Sequence, residues 1–126
     1  AKIEDFFDGI DVFVLPSLAE GNSNALLESM AHGVPALTTD VGGSARLLAP
    51  VFDQLQISSD NPGGIANRME LLAKDHILRK NISDLLYTRA KEFFSIDIVS
   101  RHYSAFYFKL CSKSDTEAFE VHRVFK

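Results

Sequence analysis

Two glutamates, Glu20 and Glu28, bracket the stretch EGNSNALLE. An ionised carboxylate accepts hydrogen bonds on both oxygens, so it suits a pair of vicinal hydroxyls of the kind a hexose or a ribose carries. It would repel a phosphate. The residues between the acids fit an anion instead. Gly21 lets a ligand come close to the backbone. A helix starting near Asn24 leaves its first amides without intrahelical partners and presents its positive dipole end. The backbone of Asn22, Ser23, Asn24, Ala25 and Leu26 is therefore a candidate cradle for a phosphate or diphosphate. Sugar acceptor, phosphate cradle and ribose acceptor in a row describe a nucleotide-sugar. Spacing alone also fits a plainer reading. Most glutamates are solvated surface acids, and glycine and asparagine are common turn formers.

Such a stretch needs elements that hold it at a strand end. Val12 to Leu15 is a continuous apolar run, which predicts a strand buried on both faces, as in a parallel sheet. Pro16 ends it, and residues 17–24 form a loop. Residues 25–32 predict a helix closed by Gly33. Residues 34–39 predict the next strand, residues 40–43 a turn, and residues 44–48 a short helical piece. Upstream, residues 3–8 look like the last turns of a helix stopped at Gly9. Strand, helix and strand make a right-handed βαβ unit with parallel strands. Ligands of such sheets bind at the carboxyl ends of the strands, which is where the 17–24 loop leaves.

Residues 55–58 predict a third, short strand, and residues 59–64 a loop with a helix start. Helices are expected over 65–74, 76–94 and 97–111. Two firm strands and one weak one are few for an open sheet, which usually has about five or six. The fold class is α/β: part of a Rossmann-like three-layer parallel sheet followed by C-terminal helices. Further strands are expected before Ala1. Residues 1–112 read as part of a nucleotide-sugar-binding domain, and residues 113–126 as a C-terminal tail.

Composition narrows the function classes. The chain has 126 residues, 46% hydrophobic and 24% charged, an ordinary globular balance. A net charge of −4 and the lack of a basic stripe argue against a nucleic-acid partner. The single cysteine, Cys111, cannot form an internal disulfide, and a reducing, cytoplasmic setting is expected. Metal-type Cys/His spacing, a signal peptide and a membrane-length apolar run are all missing from the sequence. So are a Walker loop, a dinucleotide-binding glycine motif and a hydrolase elbow around Ser17. His32, His76, His102 and His122 read as structural or surface residues. Asp11 reads as a turn residue, and Asp40 lies at a strand end. The aromatics Phe93, Phe94, Tyr103, Phe106, Tyr107 and Phe108 are expected to pack a helix pair. An exposed set would instead mark a domain interface.

The runs Asp11-Val-Phe-Val-Leu-Pro-Ser17, Glu20-Gly-Asn-Ser-Asn-Ala-Leu-Leu-Glu28-Ser-Met-Ala-His-Gly33-Val-Pro35 and Thr39-Asp-Val-Gly-Gly43 together resemble the donor-site signature of the retaining GT-B glycosyltransferases, family 4 in particular. The close match covers residues 11–43, about a quarter of the chain. The resemblance implies a C-terminal donor-binding portion that serves transfer of a hexosyl group to an acceptor hydroxyl with retention. It implies that Glu20, the catalytic candidate, contacts hydroxyls of the transferred sugar. Amides from Gly21 to Ala25 would meet the sugar and the diphosphate, and Glu28 the ribose. Thr39, Gly42 and Gly43 would shape the neighbouring wall. The resemblance implies no metal ion and no cofactor beyond the donor substrate. It implies a glycan or lipid-linked acceptor held by an N-terminal domain, a place in polysaccharide synthesis, and peripheral membrane association of the whole enzyme. Two positions depart from the pattern. Arg46 stands where an acid is usual, and Ala49-Pro-Val-Phe-Asp53 replaces a glycine-containing loop. The alternative reading is a non-catalytic nucleotide-sugar-binding or interaction module.

Overall fold

The computed structural model describes residues 2–112. Its first strand, β1, is Phe13–Leu15. Its second, β2, is Ala36–Thr38. The two pair in parallel, with Phe13 opposite Ala36, Val14 opposite Leu37 and Leu15 opposite Thr38. All three residues of β2 are buried, whereas those of β1 are half-buried. Pro35 has no amide proton to give the ladder, so the expected strand over 34–39 begins late. Pro35 still accepts a hydrogen bond from the Phe13 amide at 2.9 Å.

Helix α2, Asn24–Ala31, connects the strands and completes the expected βαβ unit. Leu26 and Met30 lie four residues apart, share one helix face, and are fully buried. Gly33 ends the helix in the left-handed region at φ 67°. There the Gly33 amide reaches the Met30 carbonyl at 3.0 Å and the Val34 amide reaches Ser29 at 2.8 Å. Before β1, helix α1, Ile3–Phe7, buries Phe7. The Phe7 ring meets Phe13 edge-on and stacks on His32.

Beyond β2 come α3, Ser44–Leu48, and a one-turn helix α4, Phe52–Leu55. The third strand expected over 55–58 is reduced to a single parallel bridge between Thr38 and Gln56. Leu55 is spent on α4, where it is fully buried. The Arg68 guanidinium caps that turn by donating to the carbonyls of Gln54 at 2.9 Å and Asp53 at 3.2 Å. Helix α5, Pro62–Lys74, starts three residues earlier than the 65–74 expected. Asn61 caps it by accepting from the Gly64 amide at 2.9 Å, and Pro62 stands in the first turn, where its missing N–H costs nothing. The expected helix over 76–94 is α6, His76–Arg89, followed by a π-helical turn, Ala90–Phe94. Leu37, Leu48, Leu72 and Leu86 join Leu26 and Met30 in one core.

The chain divides into two units after Phe94. The second unit, as far as it is described, is helix α7, Ile96–Ser112. Tyr103, Phe106, Tyr107 and Phe108 are exposed on it. Tyr103 and Tyr107 stack on each other along the helix at 6.4 Å. Phe93 and Phe94 belong to the π-helical turn, where the Arg89 guanidinium lies over both rings. The expected tail, 113–126, lies outside the described residues, as does His122. No described helix is long and apolar enough to cross a membrane.

Candidate functional site

The loop between β1 and α2 leaves the carboxyl end of the sheet and carries Glu20. Pro16 ends the strand, and the next residue, Ser17, donates its hydroxyl to Oε1 of Glu20 at 2.7 Å. Glu20 is half-buried. Its Oε2 takes no hydrogen bond among the described residues.

The turn between β2 and α3 holds this loop from behind. The Thr39 hydroxyl donates to the Ser17 carbonyl at 2.5 Å. The Gly43 amide donates to the Gly21 carbonyl at 3.1 Å. Gly42 sits at φ 56°, and a Cβ there would come within 2.2 Å of the Gly21 carbonyl oxygen and 2.4 Å of that of Glu20. A Cβ on Gly43 would stand 2.5 Å from Oδ1 of Asn22. Thr39, Gly42 and Gly43 thus touch the Glu20 loop itself. Gly21 differs: a Cβ placed there meets nothing within 4 Å, so its outer face is open to a ligand.

The amides expected to cradle a phosphate are only partly free. Ser23 is the N-cap of α2, is buried, and accepts from the Leu26 amide at 3.4 Å. Leu26 is thereby removed from the set, and the Leu27 amide bonds the Ser23 carbonyl at 3.2 Å. Asn24 and Ala25 occupy the first two helical positions, whose amides have no intrahelical acceptor. Asn22 and Asn24 are exposed, and Ala25 is half-buried. Glu28 lies one turn into α2 and is exposed. Its carboxylate takes no hydrogen bond among the described residues. Glu20, ahead of α2, and Glu28, one turn into it, therefore both keep a carboxylate oxygen without a hydrogen bond among the described residues.

An open groove of about 540 Å³ lies beside this loop at the strand ends. Ser17, Leu18, Thr39, Asp40, Gln56 and Arg68 are among its lining residues, while Glu20 and Glu28 are not. Sequence reasoning missed its far wall, residues 53–68, which patterning divided among strand, loop and helix. Asp40 at the end of β2 was the only signal of it. Among the described residues no group of three or more His, Cys, Asp or Glu side chains could hold a metal ion. His32 and His76 line a separate cavity of about 530 Å³ at the amino ends of the strands.

The family model of the group 1 glycosyl transferases matches residues 1–75. The chain is 29% identical over 92 residues to a D-inositol 3-phosphate glycosyltransferase of Paenarthrobacter aurescens, covering 73% of this chain and 22% of that protein. It is 32% identical over 76 residues to a UDP-Gal:alpha-D-GlcNAc-diphosphoundecaprenol alpha-1,3-galactosyltransferase of Escherichia coli, covering 60% of this chain and 20% of that protein. It spans about a fifth of the length of these two relatives. Its fold is similar to part of sucrose-phosphate synthase from Thermosynechococcus elongatus. That match has a TM-score of 0.79 and 21% identity, over 86% of this chain and 27% of that chain.

Proposed function

The chain belongs to the group 1 glycosyl transferases, and we propose that it forms the donor-binding portion of an enzyme that moves a hexosyl group from a nucleotide-diphospho-sugar to an acceptor hydroxyl with retention of anomeric configuration. One observation carries this reading. Glu20 sits at a strand's carboxyl end, held on one oxygen and open on the other, directly before a helix N-terminus with unpaired amides. Glu20 accepts hydrogen bonds from hydroxyls of the transferred sugar and so orients its anomeric carbon. The amides of Asn24 and Ala25 face the diphosphate, and the open backbone at Gly21 admits the sugar. Fixed N–H dipoles there stabilise the negative charge that grows as the diphosphate departs. Glu28 accepts from the ribose hydroxyls. Thr39, Gly42 and Gly43 keep the loop in place. Neither a metal ion nor a further cofactor has a role in this scheme.

The acceptor is a glycan or a lipid-linked glycan, bound by protein outside this chain. The diphosphoundecaprenol in the name of the Escherichia coli relative supports a lipid-linked one. The intact enzyme works in polysaccharide synthesis on the cytoplasmic side, in peripheral contact with the membrane, and without a nucleic-acid partner.

Calorimetry and turnover assays on the intact protein test the scheme with UDP-, GDP- and ADP-sugars. Glu28→Ala is expected to weaken donor binding about tenfold or more, the worth of a charge-assisted hydrogen-bond pair. Glu20→Ala is expected to lower kcat by about tenfold or more. Unchanged binding and turnover in both variants would overturn the assignment. Tight donor binding without any transfer would favour a non-catalytic module.

A further inference from the structure

We propose that Ser17 is a positioning residue for the Glu20 carboxylate, and that Thr39 fixes Ser17 in turn. This rests on reading Glu20 as the sugar contact. A glutamate side chain has several rotatable bonds, and a half-buried one with no partner samples many rotamers. Glu20 has one partner. The Ser17 hydroxyl reaches Oε1 across three residues at 2.7 Å, the length of a charge-assisted O–H···O bond. Its single proton is thereby committed to Glu20.

Ser17 is itself tied down. The Thr39 hydroxyl holds the Ser17 carbonyl at 2.5 Å, and Thr39 is only 6% exposed. The Thr39 carbonyl in turn accepts from the Ser44 hydroxyl at 2.9 Å and the Val41 amide at 3.0 Å. A continuous run of hydrogen bonds therefore leads from the start of α3, through the end of β2, to the carboxylate. The backbone of the same loop is fixed separately, by the Gly43 amide on Gly21 and by Gly42 against Glu20. Loss of the Ser17 hydroxyl releases the Glu20 side chain and leaves its backbone in place. With Oε1 engaged by the protein, Oε2 faces the ligand in a set direction.

The test compares a nucleotide-sugar with its own nucleoside diphosphate, by titration calorimetry on the intact protein. UDP-glucose, GDP-mannose and ADP-glucose are the probes, each set against UDP, GDP or ADP. Ser17→Ala should weaken nucleotide-sugar binding about tenfold and leave the nucleoside diphosphate within about twofold. Ser17→Thr, which keeps a hydroxyl, should restore the difference. Thr39→Val should give a smaller loss of the same selectivity. Ser17→Ala combined with Glu20→Ala should be no worse than Glu20→Ala alone, because both remove one interaction. Equal losses for both ligand types would make Ser17 merely structural and overturn the inference. So would a harmless Ser17→Ala beside a costly Glu20→Ala, which would spare the functional reading. A harmless Glu20→Ala would remove the sugar contact and the inference with it.

Discussion

The two ends of the small parallel sheet carry cavities of nearly equal size, about 540 Å³ at the carboxyl end and 530 Å³ at the amino end. Volume does not separate them, but their bonding does. At the amino end the polar side chains answer one another. Arg79 meets Asp11 at 3.4 Å, and His32 meets Asp8 at 3.3 Å. The Ser83 hydroxyl closes on the Gly33 carbonyl at 2.5 Å. At the carboxyl end the bonds run from one loop to another, and they hold Glu20 on one oxygen and leave the other open. One end uses its polar groups on itself. The other uses Thr39 and Ser17 to hold one oxygen of Glu20 and leave the second open. That difference, more than the presence of a cleft, supports the proposal that the ligand belongs at the carboxyl end.

A pair of glycines, one at each end, gives the largest test of this contrast. Both have positive φ, so an added Cβ strains each backbone. Gly33 has a hydroxyl, Ser83 Oγ, 3.0 Å from the Cβ position, and that side chain can rotate away. Gly42 has backbone oxygens at 2.2 and 2.4 Å, which move only if the Glu20 loop moves. Gly33→Ala should therefore cost about 1–2 kcal/mol, the left-handed penalty plus the hydrogen bond to the Gly33 carbonyl that Ser83 gives up when it turns away. Gly42→Ala should cost about 3 kcal/mol, because steric overlap adds to that strain. Only the second should also abolish nucleotide-sugar binding. Denaturant unfolding and calorimetry of both variants check this, and equal costs would erase the distinction between the ends.

The next effect is smaller and local. Ser23→Ala removes the N-cap of α2 and should cost about 1 kcal/mol of stability. The Leu26 amide, freed from Ser23 Oγ, then rejoins Asn24 and Ala25 at the candidate diphosphate site. Nucleoside diphosphate affinity should hold to within about threefold despite the lost stability, which calorimetry reads directly. A much larger fall would mean that the Ser23 side chain, rather than the helix amides, meets the ligand.

Much of this contrast was legible in the sequence as residue types and little of it as contacts. The unbroken apolar run Val12 to Leu15 and the helical spacing of Leu26 and Met30 predicted β1 and α2, although the residues of β1 are only half-buried rather than buried on both faces. Leu55-Gln-Ile-Ser58 misled because its alternation fits a strand. The structure spends Leu55 on a helical turn and leaves Gln56 a single bridge. A helix start within 59–64 was legible, but Gly63 and Gly64 pushed its expected first residue to 65, past the capping pair Asn61 and Pro62. At the site, Glu20 and Glu28 were legible by residue type, spacing alone also fitted plain surface acids, and Gly42 and Gly43 came only from the resemblance of the motif. The bond from Thr39 to Ser17 spans 22 residues, and no local pattern encodes it. Nor does any local pattern say that Gly42 faces the protein while Gly21 faces outward.

The smallest expected effect comes from the amino end, and it separates two jobs of one side chain. Arg79 pairs with Asp11, whose side chain is 80% exposed. Its guanidinium also donates to the carbonyls of Leu72 at 2.7 Å and Ala73 at 3.2 Å, near the end of α5. An ion pair with so exposed a partner is worth about 0–1 kcal/mol, whereas hydrogen bonds from a charged donor to carbonyls that lack helical partners are worth about 1.5–3 kcal/mol. Asp11→Asn should therefore change stability by less than about 0.5 kcal/mol, and Arg79→Ala should cost about 1.5 kcal/mol. Neither should alter nucleotide-sugar affinity. If Asp11→Asn weakened donor binding, charge at the amino end would reach the carboxyl end, and the two ends would no longer be independent.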